Sequence, residues 1–334
     1  LPSGRLLGSW MAHPDVALYS VALSHDDRLL ASADREGGVA VWELATQRRL
    51  WSALLHTGAV RTLEFSPDDS LLLTTGEDGR AFTIDPNNGR ELGSFGTGSS
   101  AIAVAAFDQD GDLVIYSNTG SPPAAYAARG GNLVMRFADA DDDVTSITPL
   151  PDSTEILVSG FYTTMRVWDT VTGNLVRTVS NMDTPYAQHI AWIPGSEHFI
   201  IVGANGYAAI WDARTWTLVT PLVGHRAIVQ NVVVSADGRL AATFSFDGVT
   251  RVWDTTTGTA LAVLRGHQEA VETAVFSSSA PLIATASYDG TINVYRYDAR
   301  DALPDDLVRL AEARITRDLT PAERALYLHE EGGE

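Results

Sequence analysis

The 334 residues contain no cysteine and no lysine. The first absence removes disulfides, thiolate metal ligands and thiol nucleophiles together, and it suits a cytoplasmic protein. The second makes every one of the 23 basic residues an arginine, a usage we associate with a GC-rich bacterial genome. Positive charge is scarce altogether: 42 acidic residues set the net charge at −19. Such a field repels polyanions, and nucleic-acid binding needs a basic footprint, so DNA and RNA are not expected partners. No apolar run approaches the 18 residues of a membrane-spanning helix. The opening stretch LPSGRLLGSW lacks the basic start and apolar run of a signal peptide, so no membrane association is expected. It also lacks an initiator Met, and the chain is expected to be a piece or processed form of a longer protein.

What is present is a globular composition, 45% hydrophobic with a mean hydropathy near zero, and a period. Aromatic or apolar anchors fall at Trp42, Ile84, Tyr126, Trp168, Trp211, Trp253 and Tyr295, at intervals of 42 residues with one of 43. Fixed self-similarity of this kind marks a repeat architecture. Within each repeat, short alternating stretches such as VRTLEF and SLLLTTG are separated by turn chemistry such as SPDDS and EDGR, which reads as β-structure. Four strands fit each repeat, about 28 in all. That number is too large for one open sheet, so the strands must close or repeat radially.

A Gly-His pair, an Asp-Gly turn and a Trp-Asp ending at this spacing resemble WD40 repeats. Gly224-His225, Asp247-Gly248 and Trp253-Asp254 carry the full signature; Gly266-His267, Asp289-Gly290 and Tyr295 nearly do. The resemblance spans residues 4–297 and implies an all-β, seven-bladed propeller over 1–298, followed by a separate tail at 299–334. It also implies closure of the ring: GRLLGSW at 4–10 matches the strand that follows each Trp-Asp, no such strand follows Tyr295, and the N-terminal segment should complete blade seven and cover its edge.

Ser, His and Asp lie close together in blade six, which raises a hydrolase triad as one reading. At the family's structural positions, however, the resemblance implies a latch in which Asp247 accepts from His225, His225 meets Ser245, and Ser245 takes the indole N–H of Trp253. His267, Ser287, Asp289 and Tyr295 would do the same in blade seven. A catalytic reading needs an exposed serine, an oxyanion hole and a cleft, no G-x-S-x-G elbow occurs, and two adjacent triads at one spacing suit a scaffold. No catalytic residue is therefore expected. Blade two keeps His56 and Asp78 with Ile84 in place of Trp, blade one offers His13 with Asp34 or Glu36, and blade three has neither His nor Asp.

Other chemistry is weaker. Asp108 to Asp112, DQDGD, resembles a calcium loop but aligns with hairpin turns of other repeats and lacks the downstream bidentate Glu. Gly96 and Gly98 precede no helix, so no phosphate loop is supported. The eight histidines show no metal-ligand spacing, and no cofactor or metal is expected. The acidic run Asp139, Asp141, Asp142 and Asp143 reads as a solvated face or an acidic spot for an Arg-rich partner.

The resemblance implies that protein or peptide partners dock on the narrow face around the central channel. One row of positions there is Tyr19, Arg61, Ala103, Thr145, Gln188, Gln230 and Glu272. A second includes Glu77, Phe161, Phe246 and Tyr288. With Tyr162, three of the latter would form an aromatic arc over blades four, six and seven, of the type that interface hot spots use. The tail reads as two short helices: Pro304 with Asp305 and Asp306 suits a first turn, and Thr320-Pro321-Ala322-Glu323 is a capping box. It is similar to tails of large bacterial multidomain signalling proteins, which implies an upstream effector or ATPase domain. The expected function is a non-catalytic sensor or docking module of such a protein, the alternatives being a structural lid on an attached effector or an enzyme with a site on the propeller face.

Overall fold

The computed structural model describes residues 5–13, 16–96, 103–118, 121–137, 144–150, 153–160, 165–179, 187–278 and 280–297. The second helical unit expected at 299–334, the acidic run at 139–143, Phe161 and Tyr162 all lie outside the described residues.

Seven four-stranded antiparallel sheets follow one another along the chain. In six of them four consecutive strands lie in sequence order, as Leu18–Leu23, Leu29–Asp34, Gly38–Glu43 and Arg48–Leu54 do in blade one. The first strands of neighbouring blades pack side by side all the way round, the last against the first. The fold is a seven-bladed β-propeller.

Strand chemistry follows radial position. Second strands such as Leu240–Ser245 and His198–Gly203 are buried along nearly their whole length, whereas outer strands such as Leu175–Val179 are mostly exposed. A sheet lying between two others buries both faces, so its middle strands read as continuous apolar runs rather than alternating ones. The core is accordingly divided into seven clusters, each shared by two adjacent blades. Alternation then assigns neighbours to opposite clusters: Val252 packs toward blade seven and Trp253 toward blade five. Each fully buried large side chain such as Phe199 or Phe244 contributes about 1.5–3 kcal/mol.

The ring closes through the N-terminus. Strand Arg5–Met11 pairs antiparallel with Thr291–Arg296, from Arg5 opposite Arg296 to Met11 opposite Thr291. Ala12, Leu18, Leu30 and Trp42 then pack on Ala284, Ala286 and Ile292 across the seam. Two turn aspartates brace the same region. Asp27 accepts from Ser277 Oγ (2.8 Å) and from the Ser278 N–H (3.1 Å) of blade seven. Asp69 of blade two accepts the N–H groups of His25 (2.8 Å) and Asp26 (3.0 Å) in blade one. Both have left-handed backbones, φ 58° and 57°, where blades three and six carry Gly111 and Gly238. Aspartate tolerates that conformation better than most residues, and here its carboxylate spans the gap between blades.

Deleting residues 1–11 should strip blade seven to three strands and lower the thermal midpoint by about 10 °C or more, read by scanning calorimetry.

Candidate functional site

The hydroxyl of the blade-six latch belongs to Thr243, not Ser245. His225 Nδ1 lies 2.9 Å from Asp247 Oδ2, His225 Nε2 lies 2.8 Å from Thr243 Oγ1, and Trp253 Nε1 donates to that same oxygen at 2.8 Å. Strand register explains the correction. Trp253 sits opposite Ala241, so Thr243 is its diagonal neighbour, within reach of a long side chain. Ser245 is two residues further along the strand, a rise of roughly 7 Å more. Its hydroxyl instead donates to the Ala227 carbonyl and accepts the Asp247 N–H, shaping the turn in which Gly248 takes φ 78°.

Blade seven repeats the correction. His267 Nε2 meets Thr285 Oγ1 at 2.7 Å and its Nδ1 meets Asp289 Oδ2 at 3.1 Å. Ser287 accepts the Asp289 N–H, and the Tyr295 hydroxyl accepts from Asn293 and donates to the Arg265 carbonyl. In blade one the latch is His13, Asp34, Ser32 and Trp42; in blade two it is His56, Asp78 and Thr74. Blade three substitutes Tyr116, whose hydroxyl donates to the Gly79 carbonyl of blade two at 2.6 Å. In blade five the Trp211 indole donates to the Tyr207 hydroxyl.

The latch is internally matched. Burial holds His225 below its ordinary pKa, against the pull of Asp247, so the ring is neutral at pH 7. A neutral ring donating from Nδ1 to Asp247 accepts the Thr243 proton at Nε2, and the Thr243 oxygen accepts from Trp253; every polar atom in the chain finds a partner. Thr243, Ser245, Thr285 and Ser287 are 0% exposed, so none can serve as a surface nucleophile.

The predicted docking row has a backbone cause that the sequence did not reveal. Val60 pairs with Gly76 and Thr62 with Thr75, leaving Arg61 as an extra residue. The same β-bulge sets out Tyr19, Thr145, Gln188, Gln230 and Glu272. Blade three pairs without it, Ala103 with Asn118 and Val104 with Ser117. A bulge bends the strand and re-aims one side chain; six of them at one end of the ring present six side chains to the same face.

On blades seven, one and two these side chains meet. The Tyr19 and Tyr288 rings lie 4.9 Å apart, the Arg61 guanidinium sits 4.9 Å over Tyr19, and Arg61 is ion-paired with Glu77. Burial raises the Glu272 carboxyl, with the Tyr288 hydroxyl and the Arg61 charge holding it partly down. Of the expected aromatic arc, Tyr288 on blade seven packs with Tyr19 of blade one, and Phe246 projects 47% exposed from blade six. DQDGD forms a hairpin turn in which Asp108 accepts the Leu113 N–H at 3.0 Å. Among the described residues, no group of three or more His, Cys, Asp or Glu side chains is placed to hold a metal.

Among the described residues, two titratable groups on first strands have no counter-ion beside them. Burial pushes Glu64 up to about 8, its one opposing contact being the Phe107 N–H; burial pushes His189 down to about 4, and its Nδ1 has no hydrogen-bond partner.

Two tests follow from this geometry. Thr243→Val should cost about 1–3 kcal/mol by leaving His225 Nε2 and Trp253 Nε1 unpaired, with Ser245→Ala costing less, both measured by urea unfolding. Glu64 has a folded pKa above its unfolded value, so its contribution is complete below about 4.5 and is lost as pH rises through 8. Glu64→Gln should therefore gain stability relative to the native chain between pH 5 and pH 8 in the same assay.

The repeat geometry agrees with comparison to known proteins. The WD domain, G-beta repeat family model matches residues 4–43, 50–85, 216–254 and 258–296. Angio-associated migratory cell protein of Homo sapiens is 24% identical over 308 residues, covering 74% of this chain and 69% of that protein. Apoptotic protease-activating factor 1 of Danio rerio is 24% identical over 287 residues, 73% of this chain but 22% of its own length. Transducin beta-like protein 3 of Bos taurus is 26% identical over 226 residues, 64% of this chain and 28% of its own. The chain is a seven-bladed β-propeller, and four segments of it match WD40 repeats.

Proposed function

We propose that this chain is a non-catalytic recognition domain that docks a protein or peptide partner on the face carrying the bulges. The row of bulges carries the reading. A bulge interrupts ladder pairing, and it recurs in six blades at the one position that turns a side chain out of the sheet toward a common surface. Tyr19, Arg61, Glu272 and Tyr288 supply the aromatic and charged contacts, and Gln188, Gln230 and Phe246 those across the ring. Aromatic and arginine anchors are what hot spots favour.

The domain serves, in this reading, as the sensor of a larger cytoplasmic signalling protein with an effector or ATPase domain elsewhere in its chain. Support comes from the matched region being 22% of apoptotic protease-activating factor 1, whose name joins it to the activation of a protease. The arginine-only, cysteine-free composition supports a bacterial, reducing setting.

Capture of a partner by the immobilised full chain should fall about tenfold or more in Arg61→Ala and Gln230→Ala, with thermal midpoints unchanged, and persist in the outer-strand variant Val219→Ser. Equal capture by all three would remove the assignment to this face.

A further inference from the structure

On blades seven, one and two the face carries polar atoms whose hydrogen bonds are unmet. Among its described residues, Glu272 Oε2 and Arg61 Nε are buried and have no hydrogen-bond partner. Buried polar atoms left unpaired are uncommon and costly, and these two lie in the same cluster, since the Arg61 charge acts on Glu272. Arg61 has already committed one terminal nitrogen to Glu77, so a single cation serves two carboxylates and the trio carries a net charge of −1. Around it stand the Tyr19 and Tyr288 rings, and beyond it a molecule of net charge −19.

We infer that Glu272 is the receptor for a basic side chain, Arg or Lys, of the docked partner, seated between the Glu77 and Glu272 carboxylates against the Tyr288 ring. This rests on the reading of the bulge face as the docking surface. The cation neutralises the trio and gives the unpartnered carboxylate oxygen a donor. The tyrosine hydroxyl and ring supply a second acceptor and a π-face, which favour a cation in a partly desolvated site. An acidic side chain at Arg61 Nε would lie beside the Glu77 and Glu272 carboxylates in a trio already at net −1, so anionic partners are disfavoured. The overall field adds to this by steering basic segments toward the protein.

The test is selection of peptides from a random dodecapeptide phage library on the immobilised full chain. Synthetic versions of the enriched peptides would then be measured by fluorescence anisotropy. The expected peptides contain Arg or Lys, and Glu272→Gln weakens them about tenfold or more. Replacing the peptide's own basic residue by citrulline or norleucine gives the same loss, and combining the two changes adds little. The peptide substitution needs no folding control; Tyr288→Phe, with a smaller loss, provides a second variant of the site. Peptides without a basic residue, no enrichment over an unrelated protein, or undiminished binding to Glu272→Gln overturn the proposal. Peptides indifferent to Glu272→Gln but lost with Gln230→Ala overturn it while leaving the bulge face as the docking surface; peptides indifferent to every variant of that face remove both.

Discussion

A four-stranded sheet that is apolar on both faces can be finished only by other sheets, and seven such sheets finish one another only if the ring closes. That constraint governs the rest of the molecule. It makes the second strands buried along nearly their whole length and the third strands largely so, divides the core into seven shared clusters, and requires the N-terminal strand to complete blade seven. An open ring would expose two inner faces and an unpaired strand edge together. The cost of closure is joining segments nearly 290 residues apart, a loop entropy that grows only logarithmically with length. A strand pairing, a shared core cluster and the Asp27 bridge at the seam are set against it.

The latches are distributed with the same logic. His-Asp pairs with a hydroxyl behind them occur in blades six, seven, one and two, a continuous arc that straddles the seam. Blade three uses a tyrosine reaching to its neighbour and blade five an indole-to-tyrosine bond. Histidine suits the task because a neutral ring, as burial keeps that of His225, can both donate to a carboxylate and accept from a hydroxyl. The cluster of Tyr19, Arg61, Glu77, Glu272 and Tyr288 stands on blades seven, one and two. Its side chains therefore rise from the part of the ring whose turns are pinned by a carboxylate, and a site gains precision when its supports are fixed.

Most of the fold was legible because the period survives where the motif decays: Ile84 holds the register without Trp, and Tyr126 without Trp or Asp. The latch was legible only in part. Reading Ser245 as its hydroxyl followed the tetrad positions that the resemblance implies, when the discriminating signal was a column. Ten residues before the anchor stand Ser32, Thr74, Thr243 and Thr285, a hydroxyl in all four latched blades; eight before stand Asp34, Gly76, Ser245 and Ser287. In blade one Asp34, not Glu36, meets His13, and that histidine stands one residue further from its anchor than those of the other latches. The orphan oxygen of Glu272 had no counterpart in sequence, since an unmet hydrogen bond is a property of packing.

The bulges explain why the face can differ chemically around its circumference while the ring beneath stays regular. In a regular strand each side chain belongs to one face or the other, and both faces here are core, so a charged residue would be buried without a partner. An extra residue belongs to neither face. It can be Tyr, Arg, Thr, Gln or Glu without disturbing the apolar row that follows it: Val21, Leu63, Ile147, Ile190, Val232 and Ala274 keep to the core clusters in the same strands. Placing aromatic and charged members on blades seven, one and two and amides on blades five and six therefore costs the fold little. Selection on binding can act on those positions almost independently of selection on stability.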